Sequence, residues 1–307
     1  MRAQTHFTLA LVATALLFGG ACSKISTQSK FVTPEDAAKA LLQALKTDNT
    51  EQIAAIFGRD AVEAVASGDD ASDKQDRAVI GLAMEQSWRW TPLGPDRKEL
   101  LVGDEQWPFP VPLAKSGGQW AFDSEAGTRE VLARRIGRNE LDVIDLCQAY
   151  VDWQKEYAAD SHDGKQAGAY AQHLRSTPGH QDGLYWDTNP GEKPSPLGDL
   201  AAYAADEGHA QNRTEGSPFW GYRYRILTAQ GASAPSGQKS YIANGDMRAG
   251  FALVAYPASY GSSGIMTFVV NQDGSVYEKD LGRDTSTVAA KLTEYNPDSS
   301  WERVETP

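Results

Sequence analysis

Cysteine is nearly absent from these 307 residues: only Cys22 and Cys147 occur. That count excludes a disulfide scaffold and any cysteine-based zinc site. Positive charge is in deficit. Lysine and arginine total 29 against 41 acidic residues, a formal net charge of −12. Binding phosphate takes clustered cations, so a nucleic-acid partner is excluded. Docking on anionic lipid by charge alone is excluded with it. Long apolar runs are missing too. Phe7 to Phe18 is an apolar-plus-threonine run of twelve residues, short of the roughly 20 that span a bilayer.

Catalytic motifs are equally scarce. There is no His-Glu-x-x-His sequence. Ser236-Gly-Gln-Lys239 has the spacing of a penicillin-recognising serine and lysine. It lies in a Gly-Ala-Ser-Ala-Pro-Ser-Gly linker, without its companion elements, and reads as a loop. Gly231 to Ser240 lacks the Gly-Lys-Ser/Thr ending of a phosphate loop. Gly261-Ser-Ser-Gly264 lacks the spacing of a nucleophile elbow.

What remains is an ordinary globular balance, 41% hydrophobic and 23% charged residues, in a chain long enough for two domains. Arg2 followed by the Phe7–Phe18 run reads as a signal peptide over residues 1–21. Two processing readings stand side by side. Gly19-Gly20-Ala21 suits cleavage by ordinary signal peptidase. The same residues before Cys22 resemble a bacterial lipobox, with lipid carried on Cys22. The second places the protein on the periplasmic side of a membrane. Ser23, where aspartate would signal inner-membrane retention, favours the outer membrane. Residues 22–30 read as a polar tether. Cys147 then has no partner. It falls at helical spacing with Val143, Ile144 and Val151 and reads as a buried thiol.

Residues 31–136 read as a first α+β domain. Thr33-Pro34-Glu35-Asp36 is a helix start, and Asp48 or Thr50 begins a second helix ending at Gly58. Ser72-Asp73-Lys74-Gln75 reads as a capping box before a helix with Val79, Leu82, Ala83 and Trp88 on its inner face. Strands follow at Glu99–Val102, Trp107–Leu113 and Gln119–Phe122. Pro108, Pro110 and Pro112 force the middle one to an edge or out of register.

Residues 137–307 read as a second α+β domain. Gly137 punctuates the helical stretch from Glu125, and Asn139 caps a helix to Asp160 with Leu141, Ile144, Val151 and Tyr157 on one face. A loop-rich span of about sixty residues follows, an unusual length that points to function or to packing by its own aromatics. Strands come next at Trp220–Leu227, Gly250–Ala255, Ile265–Val270 and Ser275–Asp280, and a last helix at Asp284–Glu294.

The first half, with helices leading into a curved antiparallel sheet and an Ile56-Phe57-Gly58 opening, resembles the nuclear-transport-factor-2-like cone fold. That resemblance implies a pocket, for which Trp88, Trp90, Trp107 and Trp120 are the candidate lining. The favoured reading is that they fill it. The second half is similar to the heads of type IV pilins and pseudopilins, through Gly221-Tyr222-Arg223-Tyr224 and Met266–Val270 before the turn at Gly274. The acidic helix, bearing Glu140, Asp142 and Asp145, excludes assembly through a buried polymer core.

Taken whole, the chain resembles the bacterial family called domain of unknown function 2950. Trp107–Leu113, Arg135–Leu141, Gly250–Ala255 and Thr267–Leu281 carry the resemblance. It implies an exported envelope protein with a nearby partner and assigns no activity.

Two metal readings are open. His162, Asp163, His180 and Asp182 share the loop-rich span with His173 and His209. Asp273 and Asp280 are the calcium candidates, alongside Asp182, Asp187 and Asn271. No cofactor is otherwise expected. The functional expectation is a non-catalytic envelope lipoprotein that acts as an interaction or assembly module. The alternative is a small-ligand-binding or hydrolytic protein using the tryptophan pocket.

Overall fold

The computed structural model describes residues 28–67, 70–189, 191–198 and 218–305. The signal segment, Cys22 and His209 lie outside the described residues. The tether ends earlier than its composition suggests. The Gln28 side chain donates to Ile56 O at 3.0 Å, Phe122 O at 2.6 Å and Ser124 Oγ at 2.9 Å. Ser29 N donates to Ala55 O at 2.8 Å. Residues 28–30 are therefore part of the folded body.

Helix starts follow local chemistry. Thr33 accepts from the Asp36 amide at 3.1 Å, and α1 runs Pro34–Lys46. Helix α2 (Thr50–Phe57) is capped by Asn49, whose carbonyl oxygen reaches the Gln52 amide at 3.0 Å. Asp48 instead holds Arg77 at 2.9 Å. Helices α3 (Arg59–Val65) and α4 (Asp70–Gln86) complete the group. The inner face of α4 is the predicted one only in part, since Ala83 packs against the first core. Val79 is 58% and Leu82 62% exposed, while Arg77, Ile80, Gly81 and Met84 turn inward. A Cβ added at Gly81 would lie 3.4 Å from Leu45 Cβ, so close approach to α1, not bulk, sets the phase of this helix.

Trp88 begins a strand rather than ending α4. Strand β1 (Trp88–Gly94) forms a hairpin with β2 (Arg97–Val102). Strand β3 (Trp107–Pro108) pairs with β2, and β4 (Leu113–Ser116) and β5 (Gln119–Phe122) finish an antiparallel sheet ordered β1-β2-β4-β5. The alternating prolines leave only two residues of ladder before Leu113, as their missing N–H groups require. Leu41, Met84, Leu100, Leu113 and Phe122 centre the first core.

Helix α5 (Ser124–Ala159) is continuous over 36 residues. Gly137 does not break it, and Asn139 caps nothing: its amide donates to Ser263 O at 2.8 Å. The buried stripe is Val143, Leu146, Cys147, Tyr150, Val151, Gln154 and Tyr157; Val151 and Tyr157 lie on the predicted face and Cys147 is buried beside Val143 as expected, while Leu146, Tyr150 and Gln154 widen the stripe. Leu141 is 65% exposed. Tyrosine, cysteine and glutamine carry this stripe, which hydropathy alone underrates. Cys147 is fully buried, and burial pushes its thiol up to about 12.

The stripe packs on a second antiparallel sheet. Its strands are β8 (Tyr222–Leu227), β13 (Ala252–Pro257), β14 (Met266–Asn271), β15 (Val276–Asp280) and β16 (Glu302–Arg303). They are ordered β16-β15-β14-β13-β8. Short pairs decorate it: β6 (His173–Arg175) parallel with β7 (Gly183–Tyr185), β9 (Ala229–Gln230) with β10 (Lys239–Ser240), and β11 (Ile242–Ala243) with β12 (Asp246–Met247). Helix α6 (Thr285–Ala290) ends sooner than expected, where Arg225 donates to Ala289 O and Leu292 O, both at 2.7 Å. The architecture is α+β, with two hydrophobic cores along one helix.

Glu140 joins helix to sheet. One of its oxygens accepts from the amides of Ile265 at 2.8 Å and Met266 at 3.0 Å, with Tyr222 Oη at 3.4 Å. Burial, then Glu140, then Glu302 raise the Glu278 carboxyl above its usual 4.5. A raised carboxylate favours the fold below pH 4.5, and that contribution fades as pH climbs through the native pKa. Glu278→Gln is therefore expected to be at least as stable as the parent at pH 7, with its relative advantage shrinking toward pH 4. Melting temperatures across that range check it.

Candidate functional site

The last turn of α5 builds the site. Tyr157 lies on the buried stripe, and its hydroxyl donates to Gln181 O at 2.6 Å. Just past the helix, His162 folds back under its end. Its ring stacks on Tyr157 at 4.0 Å with a 17° tilt. Its Nε2 lies 2.9 Å from Tyr157 O, and its Nδ1 lies 3.2 Å from Gln181 Oε1. Trp186, just past β7, closes the cluster at 5.4 Å from His162 and 6.4 Å from Tyr157.

Gln154 holds the returning chain in place. This fully buried side chain accepts from Ala171 N at 2.9 Å and donates to Ala171 O at 3.0 Å and Tyr150 Oη at 2.9 Å. Every polar atom of the amide that meets the backbone here is matched, as a buried amide requires.

Two hollows flank the Tyr157–His162 stack. One, of about 120 Å³, is lined by Asp160, Asp163, Lys165, His173, Asp182 and Asp246. The other is an open groove of about 460 Å³ with Glu156, Asp160, Trp186, Glu192, Lys193 and Pro194 on its walls. Lys193 bridges the groove rim, 2.7 Å from Asp160 and 3.5 Å from Glu156. Its hydrogen bond holds Asp160 below the usual carboxylate range. Lys165 and Arg248 hold Asp246 at 2.9 and 3.5 Å. Burial, then Asp163, Asp182 and Asp246, push the Tyr157 phenol up to about 12. Burial works to raise Asp182, but hydrogen bonds from Thr177 N at 2.7 Å and Thr177 Oγ1 at 2.8 Å outweigh it and leave it lowered.

The structure does bring His162, Asp163, His180 and Asp182 into one loop cluster. Their donor atoms are committed elsewhere. Asp163 accepts from Gln181 N at 2.8 Å and faces His180 at 3.5 Å, and Asp182 serves Thr177. Among the described residues, no group of three His, Cys, Asp or Glu side chains is placed to hold a metal ion. The calcium pair is separated as well. Asp273 closes the β14–β15 turn with Asn271, while Asp280 stands at the far end of β15, accepting from Gly282 N and Tyr260 Oη. At about 3.3 Å per residue, the length of β15 keeps the two carboxylates from sharing one ion.

Three of the four tryptophans, Trp88, Trp90 and Trp120, pack against the first core, and Trp107 stands apart from it. A phenylalanine group forms part of the first core: Phe57 and Phe109 lie 5.0 and 6.3 Å from Phe122. Trp90 packs on Phe122 at 6.4 Å and donates Nε1 to Pro34 O at 3.0 Å. Trp120 is 7% exposed, with Lys98 and Lys115 over its ring. Trp88 is half-buried on β1, on the same side as Trp90. Trp107 is 43% exposed under the Arg134 guanidinium. Cys22 lies outside the described residues.

Gln154 and Trp186 carry no motif that marks them as site residues, and Tyr157 reads only as part of a buried helix face. The legible signal was Gly183-Leu-Tyr-Trp186, aromatics inside a long polar loop. Chemically the site offers a stacked aromatic wall and a charged rim. Among the described residues no serine, threonine or cysteine hydrogen-bonds to a histidine, the pairing that activates such a nucleophile.

A family model described as Protein of unknown function (DUF2950) matches residues 28–304. The chain belongs to this family. The DUF2950 match begins at Gln28, which ties the entering chain to the first core, and ends at Val304, whose amide donates to Val276 O at 3.0 Å. Both cores and the helix between them thus fall inside the DUF2950 span. Among curated proteins and among solved structures the chain has no match. No helix among the described residues is long and apolar enough to cross a membrane.

Proposed function

We propose that this DUF2950 protein is a non-catalytic binding module of the bacterial cell envelope, exported and held at a membrane by lipid on Cys22. The observation that carries the binding half is the groove at the end of α5. Its walls are fixed by buried hydrogen bonds, its rim is exposed and charged, and its one buried histidine is occupied by Tyr157 O and Gln181. Such a surface is preorganised to recognise rather than to move protons. The export half stands on the sequence, where a twelve-residue apolar run leads to Cys22. In finer terms we read the first core as a nuclear-transport-factor-2-like cone and the second as a pilin-like head. A chain order of helices then curled sheet, and of long helix then antiparallel meander, supports that reading.

Cells expressing the full chain are expected to incorporate labelled palmitate into it, and Cys22→Ser to abolish the label and release the protein from the membrane fraction. An unlabelled parent, or a Cys22→Ser protein that stays membrane-bound, removes the lipid anchor. Cross-linking in intact cells followed by recovery of the protein is expected to return a reproducible envelope component attached near the groove. Repeated failure to recover one counts against a binding module.

A further inference from the structure

We propose that the groove beside Trp186 binds a saccharide chain, an inference that rests on the binding-module reading and gives its ligand a chemical class. A pyranose presents C–H faces and a rim of hydroxyls. The faces want an aromatic wall, whose electron-rich surface attracts the slightly positive C–H groups. The hydroxyls want planar acceptors at the edge. The groove supplies both. Trp186 is half-buried, braced at one side by the His162–Tyr157 stack, and Pro194 and Pro196 extend the apolar wall. The carboxylates of Glu156, Asp160 and Glu192 line the same groove. The volume of about 460 Å³ falls in the range of small-ligand sites.

Other ligand classes fit less well. A polyanion would meet three carboxylates against one ammonium. An acyl chain would lie along charged walls and lose its burial. A cationic peptide would compete with Lys193, which already occupies the position between Glu156 and Asp160. Glu192 is held by Asn189, which donates to both of its oxygens at 3.0 Å, so the acceptor edges for hydroxyls are those of Glu156 and Asp160. Glu156 keeps 46% and Asp160 51% of its side chain exposed, so the acceptors are reachable.

Envelope saccharides of this kind come from the peptidoglycan strand or from lipopolysaccharide, and the test separates them. The full lipoprotein, purified in detergent, is sedimented with isolated peptidoglycan sacculi in one arm and with lipopolysaccharide vesicles in the other. Soluble N-acetylglucosamine oligomers serve as the fluorescence probe. We expect co-sedimentation in one arm and a tryptophan fluorescence change with the oligomer. Trp186→Ala should weaken both at least tenfold, and Trp186→Phe, which keeps an aromatic wall and the packing, only partly. Glu156→Gln should retain binding, since an amide oxygen still accepts. Circular dichroism confirms that each variant is folded. If no saccharide binds, or folded Trp186→Ala binds as well as the parent, the inference is overturned. Capture of a lysine-rich peptide through the groove with no saccharide binding also overturns it, while leaving the binding module standing.

Discussion

Gln154→Leu is expected to lower stability by about 3 kcal/mol, seen as a shift in the urea midpoint of the full chain. The substitution keeps the size of the side chain and removes its amide. Ala171 then has neither partner, since its N–H and C=O both rest on Gln154 at 2.9 and 3.0 Å. Each orphaned buried group costs about 1–3 kcal/mol, and Tyr150 Oη loses a donor as well. Ala171 is fully buried, so water cannot take the place of the amide without opening the segment. The loss should be felt at the groove too. The loop returning from α5 carries His162, and loosening it frees the stack on Tyr157. Hydrogen exchange should therefore rise at residues 162–171 before it rises in β13 and β14. A variant with parent-like stability would mean the returning loop is held by something other than this amide.

The second large effect is a difference between two glycines of one helix. Gly127→Ala is expected to cost about 1–3 kcal/mol, the usual penalty for forcing atoms into a packed contact. A Cβ at Gly127 would stand 2.6 Å from Val111 Cγ1 and 2.7 Å from its Cγ2, and Val111 is itself buried. Gly137→Ala is expected to go the other way, stabilising by up to about 1 kcal/mol, because alanine is the better helix former. A Cβ there meets nothing within 4 Å. Thermal melts of the two variants should move in opposite directions. If both fall, α5 is distorted at Gly137 in solution and the single-helix description fails.

That second pair also explains what the sequence could and could not convey. Gly137 and Asn139 together are a good break signal, and they predict two helices. Nothing local overrides them. Packing does, because Asn139 and Glu140 are claimed by Ser263, Ile265 and Met266, more than a hundred positions away. The same blindness leaves part of the buried stripe of α5 unread. Tyr150 and Gln154 are amphipathic residues whose burial depends on partners such as Ala252 O and Ala171. Where local chemistry suffices, sequence and structure agree. The Thr33 cap, the Asn271–Gly274 turn and the runs at 222–227 and 266–271 needed no distant partner. The site was half visible. His162 and His180 did come together in one loop cluster, yet only His162 braces the aromatic wall, and Trp186 of that wall had only a four-residue cluster to announce it.

The unbroken course of α5 sets a distance. Gln28 is bonded to Ser124, the first residue of the helix, and the groove surrounds the last turn, near Ala159. At about 1.5 Å per residue the 36 residues between make a ruler of about 54 Å. The point where the chain enters the fold and the point where a ligand would dock are therefore at opposite poles, separated by a rod that does not telescope. In a protein fastened through its N-terminal side, the helix sets the separation between the fastened end of the fold and the groove, and the tether adds its own reach to it.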